Sequence, residues 1–366
     1  MMTEVLCVVG ARPNFMKIAP IMAAFPAQAI STKLVHTGQH YDPAMSDSFF
    51  DQLGIPRPDV NLEVGSASHA VQTADIMRAF EPVLDAQPPR AILVVGDVNS
   101  TIACALVAAK KGIPVIHVEA GLRSNDRAMP EEINRVLTDQ ISDLLYTTER
   151  SALANLLREG IARERIQFVG NVMIDTLRAH LARAVPAEAT LGGKPARGHA
   201  VVTLHRPSNV DDPATLRRLL ETLGVVAREV DVVFPIHPRT RSAAERLGLA
   251  GLLAAPGIRL LPPQGYLEML GLMRDATLVL TDSGGLQEET TALGVPCITL
   301  RENTERPITL IEGSNTLTGP NPDAILACFR DILASGGKRG RIPEFWDGHA
   351  AERIAAHLRA WLDGTA

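Results

Sequence analysis

Only four cysteines stand in a chain of 366 residues, Cys7, Cys104, Cys297 and Cys328, and no two form a CxxC pair. They lie far apart in apolar runs, which argues against a disulfide framework or a zinc finger and for buried, reduced thiols in a cytoplasm. Aromatic residues make up 4% of the chain, and the net charge is −5 with no block of Lys and Arg. Nucleic acid is therefore not an expected partner, since neither a basic footprint nor an aromatic RNA-binding motif is there. No apolar run approaches the ~20 residues that cross a bilayer. The first residues pass directly into a strand-like run, so no signal peptide is read and no membrane partner is expected. Short-period repeats and low-complexity tracts are also missing.

Apolar residues make up 46% of the chain, ample for two cores, and the length favours two domains. Continuous apolar runs recur at Val5–Val9, Lys33–His36, Ala91–Val95, Pro114–Val118 and Leu144–Thr148, with helical stretches such as Thr101–Lys111 and Glu131–Ile141 between them. Runs of this kind are parallel strands buried on both faces. The alternation predicts a doubly wound parallel sheet, whose ligands sit beyond the C-terminal strand ends. Ile166–Asn171 closes this domain, and residues 183–198, with Pro186, Gly192, Gly193 and Pro195, read as linker and loop. The pattern restarts with Ala200–Leu204, Val230–Pro235, Ile258–Leu261, Ala276–Leu280 and Pro296–Leu300, and the chain ends in an amphipathic helix from about Ala350 to Asp363.

One stretch organises the second half. Thr281-Asp282-Ser283-Gly284-Gly285-Leu286-Gln287-Glu288-Glu289 joins a strand to a helix through a Ser-Gly-Gly turn. Such a turn aims unpaired N–H groups and the positive end of a helix dipole at one point, and the glycines allow close approach. A carboxylate behind the turn suits a ribose diol, so the stretch reads as a nucleotide seat; a plain βα turn with an acidic start is the alternative. At the first strand end, Gly10-Ala11-Arg12-Pro13-Asn14 carries one glycine, not GxGxxG, so tightly held NAD is not indicated. Arg12 and Lys17 there read either as an anion site or as solvated charges. Gln39, His40, Asp97 and Glu119 also fall at strand ends, and Glu131 opens a helix. Asp97, Glu119 and Glu131 together suit proton transfer. Acids in a first helical turn can equally be dipole complements. His205 and His237 end strands of the second domain; with Arg206 they suit diphosphate contacts, though each alone could be structural. A metal held by Asp97, Glu119 and the histidines is a further alternative, without HxH or HExxH spacing to support it.

The chain resembles the UDP-N-acetylglucosamine 2-epimerases, mainly the non-hydrolysing bacterial type. The resemblance is carried in order by Gly10-Ala11-Arg12-Pro13 with Lys17 and Pro20, Gly96-Asp97, His117-Val118-Glu119-Ala120-Gly121-Leu122-Arg123, Pro130-Glu131-Glu132-Ile133-Asn134-Arg135 and Gly170-Asn171-Val172-Met173-Ile174-Asp175. It continues through His205-Arg206, His237-Pro238, Thr281–Glu289 and Thr304-Glu305-Arg306-Pro307. It implies an α/β GT-B fold: two Rossmann-like doubly wound parallel-sheet domains with an interdomain cleft. Residues 1–171 would form the domain of the catalytic acids, with the C-terminal helix 350–366 packing back on it, and 172–349 the UDP-binding domain. By matching motifs, Asp97, Glu119, Glu131 and His205 are the expected catalytic residues. Arg12, Lys17, Arg206, His237, Ser283, Gly284, Gly285, Glu289 and Arg301 are the expected UDP-sugar contacts, and Gln39 and His40 a regulatory pair. A homodimer is implied, and neither cofactor nor metal.

The implied reaction has a physical logic. The C2 hydrogen of the sugar is not acidic, so direct deprotonation is too slow. If UDP leaves C1 as C2 loses its proton, a glycal forms, and UDP adds back after a proton returns to the other face. That needs a carboxylate base, an acid on the opposite face and stabilisation of the departing diphosphate. The chain departs from the family pattern at Pro207-Ser208 after His205-Arg206, at Ile308 after Pro307 and at Tyr41-Asp42-Pro43 after His40. These changes bear on the sugar accepted and on activation at a second site. Competing readings are a hydrolysing 2-epimerase, an epimerase of a modified UDP-sugar, a GT-B glycosyltransferase and a non-catalytic sugar-nucleotide sensor.

Overall fold

The computed structural model describes residues 4–38 and 52–364, apart from the Arg12 side chain. The chain divides into two compact units, unit 1 being Met1–Ala179 with Glu344–Ala366 and unit 2 His180–Pro343. Unit 1 holds a sheet of β1 (Val5–Val9), β2 (Thr32–His36), β3 (Val60–Asn61), β4 (Ala91–Val95), β5 (Val115–Ala120), β6 (Leu144–Thr147) and β7 (Ile166–Phe168), in the order 3-2-1-4-5-6-7. Unit 2 holds β8 (His199–Thr203), β9 (Asp231–Pro235), β10 (Ile258–Leu261), β11 (Leu278–Thr281), β12 (Cys297–Thr299) and β13 (Asn315–Leu317), in the order 10-9-8-11-12-13. All neighbours are parallel.

Both sheets are therefore doubly wound parallel sheets, as the apolar runs predict. The strands β1, β4, β5 and β6 are buried at every position. Leu6, Val8, Val35, Ile92 and Val94 pack with Ile76 and Phe80 of the helix His69–Ala86 to form one core. Val202, Val232, Phe234, Leu280 and Ile298 pack with Leu216, Leu220 and Phe329 to form the core of unit 2. The strands β3 and β13 are missing from the sequence reading, because edges of two and three residues carry no apolar run long enough to register. The four thiols are free, and three are buried; burial pushes the Cys7 thiol up to about 12. No helix among the described residues is long and apolar enough to cross a membrane.

The order of strands decides where chemistry can sit. In each sheet the winding reverses between the first strand of the unit and its neighbour, β1 against β4 and β8 against β11. Ligands bind outside the strand ends at such a reversal.

Unit 1 includes the last helix, Ala350–Gly364. Asp175, buried on the helix Val172–Leu181, accepts from the first amides of that helix, Ala350 at 3.1 Å and Ala351 at 2.6 Å. Trp346 donates to Thr148 O at 3.2 Å, and Tyr146 and His357 meet at 3.1 Å. The helix Val172–Leu181 belongs mostly to unit 1 through these bonds, so the chain leaves unit 1 after Ala179 where the sequence reading divides it at 171/172. Asp175→Ala leaves two first-turn N–H groups without their acceptor, which costs about 2 kcal/mol or more. Urea unfolding followed by circular dichroism should show that loss, with a smaller one for Asp175→Asn, which keeps an acceptor oxygen.

Candidate active site

In unit 1 the candidate residues gather at the β1–β4 reversal. The helix Arg12–Ala24 starts directly after the β1 turn, earlier than the sequence pattern suggests, with Pro13 in its first turn. Asn14 ties this turn together: its Oδ1 accepts from Gly10 N at 3.2 Å and Ala11 N at 3.0 Å, and its Nδ2 donates to Val95 O at 2.9 Å. Lys17 lies one turn further, buried, with Nζ 2.6 Å from Glu119 Oε2. The structure thus places Lys17 on a carboxylate of the chain itself. Gln39 and His40 fall outside the described residues, as does the Arg12 side chain.

Glu119 has a backbone φ of +72°, and the register of β5 against β6 shifts between Val118 and Ala120. It is a bulge residue. A left-handed conformation at a residue with a Cβ costs of order 1–3 kcal/mol and persists only where the surroundings impose it. Two buried side chains supply that constraint. His117 reaches Asp139 Oδ1 through Nδ1 at 2.7 Å and Gly96 O through Nε2 at 2.8 Å. Asp139 Oδ2 accepts from Gly121 N at 3.0 Å and from Arg123 at 2.7 Å. One end of the pair grips the turn before Asp97, and the other grips the turn after Glu119. Asp97 is bonded by Arg135, whose other nitrogen is 2.7 Å from Glu132 Oε2. Glu132 also accepts from the amides of Ser124 and Asn125, each at 2.9 Å. Of the two acids opening the helix Pro130–Ile141, Glu132 is buried in this network and Glu131 is half-buried. Asn134 donates to Asp97 O at 2.9 Å, so that helix is fastened to the β4 turn.

In unit 2, His205 and Asp282 follow the paired ends of β8 and β11. Asp282 is fully buried and accepts from His205 N at 3.0 Å, Arg206 N at 2.9 Å and Asn209 Nδ2 at 3.2 Å, with His205 Nδ1 also at 3.0 Å. Burial pushes its carboxyl up, but the bonds from the His205 ring and from the His205 and Arg206 amides outweigh it and hold the group below the ordinary range. His205 and His237 face each other with ring centroids 5.9 Å apart. His237 Nδ1 accepts from Arg239 N at 3.2 Å, capping the helix Pro238–Arg246.

Ser283 is the cap position of the helix Gly284–Leu293. Glu288 and Glu289 lie buried in its second turn. Arg306 Nε is 2.8 Å from Glu288, and burial, together with the Glu289 carboxylate, pushes the Tyr266 hydroxyl above its ordinary value. Arg301 Nη1 is 2.8 Å from Glu305 Oε2. Arg206, Arg301 and Arg306 are thus each answered by a carboxylate, Arg206 and Arg301 by Glu305 and Arg306 by Glu288. Asp282, Glu305, Arg135 and His117 stand in the sequence motifs without a role, and Asp139 stands in none of them. Their roles depend on which strand ends lie side by side, which spacing along the chain does not show.

Among the described residues no three His, Cys, Asp or Glu side chains are arranged to hold a metal ion. A family model described as UDP-N-acetylglucosamine 2-epimerase matches residues 24–359. The chain belongs to the UDP-N-acetylglucosamine 2-epimerase family. It is 42% identical to the UDP-N-acetylglucosamine 2-epimerase of Methanococcus maripaludis over 363 residues, 96% of this chain and 97% of that one. It is 41% identical to the UDP-2,3-diacetamido-2,3-dideoxy-D-glucuronate 2-epimerase of Pseudomonas aeruginosa, over 97% of this chain and 99% of the relative. The crystal structure of the Methanocaldococcus jannaschii UDP-GlcNAc 2-epimerase in complex with UDP-GlcNAc and UDP superposes with a TM-score of 0.90 at 40% identity, covering 98% of this chain and 99% of that one. The neighbours are GT-B epimerases, and the two parallel-sheet units of this family member share their fold.

Two changes probe these networks. Lys17→Met leaves Glu119 a buried charge without its cation, which costs about 3–5 kcal/mol; denaturant unfolding should show it, and Lys17→Met with Glu119→Gln should recover part of the loss. Asp282 has a folded value below its unfolded one, so its stabilisation is present above the unfolded value and lost as pH falls through the folded one. The unfolding free energy should therefore drop on acidification below about pH 4. Asp282→Asn should lower it above that pH and flatten the drop.

Proposed function

We propose that this member of the family interconverts UDP-N-acetylglucosamine and UDP-N-acetylmannosamine without hydrolysis, through elimination of UDP and its re-addition to a 2-acetamidoglucal. The observation that carries the reading lies at the strand ends of unit 1. Two carboxylates stand there, each with a cation of its own: Glu119 with Lys17 and Asp97 with Arg135. A reaction that takes a proton from C2 and returns one to the opposite face calls for carboxylates held in fixed and separate settings. Asp97, Glu119 and Glu131 supply base and acid between them. As the C2–H bond breaks, the electron pair forms the C1–C2 double bond, and the C1–O bond to UDP breaks with it. Protonation at C2 and attack of the UDP oxygen on C1 reverse the sequence.

The departing diphosphate gathers charge that needs donors in place beforehand. Ser283–Gly285 at the helix N-terminus, Arg206, Arg301, His205 and His237 supply them in this reading. Asp282 holds the His205 ring, and Glu289 takes the ribose diol. Lys17, bonded to Glu119, serves as the counter-ion of the acid rather than of the nucleotide. The proton bookkeeping is complete without a cofactor. The reading carries with it a cytoplasmic homodimer. The 41% identity to a diacetamido-glucuronate epimerase favours a second reading, in which the same chemistry acts on a modified UDP-sugar.

Incubation with UDP-GlcNAc in D2O, followed by NMR, tests the route. Product should carry deuterium at C2, because the returning proton comes from a group that exchanges with solvent. Retention of the C2 hydrogen in early product would overturn it. Asp97→Asn, Glu119→Gln and Glu131→Gln should each lower turnover by about 10²–10⁴-fold, with at least one releasing glycal and UDP. Turnover of the diacetamido-glucuronate substrate alone would decide for the second reading.

A further inference from the structure

Unit 2 seats one of its own carboxylates at the turn the sequence marks for a phosphate. Glu305 is buried, and its Oε1 would lie 2.6 Å from a Cβ on Gly284, the first residue of the helix Gly284–Leu293. Its Oε2 is 2.8 Å from Arg301 Nη1, and its Oε1 is 3.6 Å from Arg206 Nη2. The residues on either side hold it in register. Thr304 Oγ1 donates to Gln287 Oε1 at 2.7 Å, and Arg306 Nε is 2.8 Å from Glu288 Oε1. Both partners belong to the helix whose N-terminus Glu305 faces, so the loop is fastened to that helix before and after the carboxylate.

A helix N-terminus faced by a group that two guanidinium groups also hold is complementary to an anion, and an arginine fork binds carboxylate and phosphate alike. We propose that Glu305 is an internal counter-anion of the nucleotide seat, displaced by the diphosphate, and that it thereby sets how tightly the nucleotide is held. The inference rests on the nucleotide reading of Ser283–Gly285. A diphosphate cannot share the two arginines with a carboxylate at this spacing, because like charges that close repel strongly in a partly desolvated site. The pairs that Glu305 gives up are subtracted from what the nucleotide gains. The same geometry accounts for Gly284: a side chain there would take the place of the carboxylate.

Calorimetric titration of UDP into the wild type and Glu305→Gln tests this. The amide keeps the volume and removes the competing charge, so UDP should bind the variant more tightly, by about tenfold or more. Unchanged or weaker binding by a variant as thermally stable as the wild type overturns the inference and leaves the nucleotide reading standing. If neither protein binds UDP, that reading fails and takes the inference with it. Hydrogen exchange on the wild type gives a second test that does not depend on the variant folding. Saturating UDP should protect amides of residues 284–289 while those of 301–306 exchange faster; protection of both segments would overturn displacement.

Discussion

A parallel sheet buried on both faces confines its chemistry to the ends of its strands. The strands β1, β4, β5 and β6 are buried along their length and paired with parallel neighbours, apart from the bulge at Glu119. Side chains that can meet a ligand are therefore those on the turns that leave the C-terminal ends, and in such sheets ligands bind where the winding reverses. Asp97 and Glu119 come from the turns or strand ends of β4 and β5, Lys17 from the helix that follows β1, and His205 and Ser283 from the turns after β8 and β11. The same rule, applied twice in one chain, accounts for both candidate sites.

Charges gathered at buried strand ends have to be answered, because an unpaired one is costly there. The structure answers them with specific partners rather than with a diffuse field. Glu119 has Lys17, Asp97 has Arg135, Glu288 has Arg306, and Glu305 has Arg301. Asp282 draws its donors from the backbone and ring of His205, from Arg206 and from Asn209. The effect is to pre-set orientation. Glu119 sits on a strained bulge because His117 and Asp139 hold the turns on either side of it. The candidate site groups are positioned by other polar groups, and the apolar core positions the strands that carry them.

Much of this was legible in the residue order. Continuous apolar runs separated by helical stretches named both sheets, since burial on two faces removes the alternation that a one-sided strand would show. Ser283-Gly284-Gly285 marked the start of a helix through its turn chemistry alone, and the helix Gly284–Leu293 begins there. The acids at Asp97 and Glu119 drew attention because each ends a strand run. Boundaries moved only slightly: the first helix begins at Arg12, and β11 runs to Thr281.

Only the tertiary structure decided which charge answers which. Lys17 and Glu119 stand far apart in the chain, as do Asp282 and His205, and adjacency of strand ends is set by sheet order, which apolar periodicity does not encode. The bulge at Glu119 also came from the fold, because the apolar run stops at Val118 and the strain is imposed by side chains from elsewhere. The edges β3 and β13 exist by pairing with a neighbour already in place. Local residue chemistry thus determined the elements and the kinds of group at their ends. The packing of one strand against the next determined their partners, because a hydrogen bond or ion pair depends on distance in space.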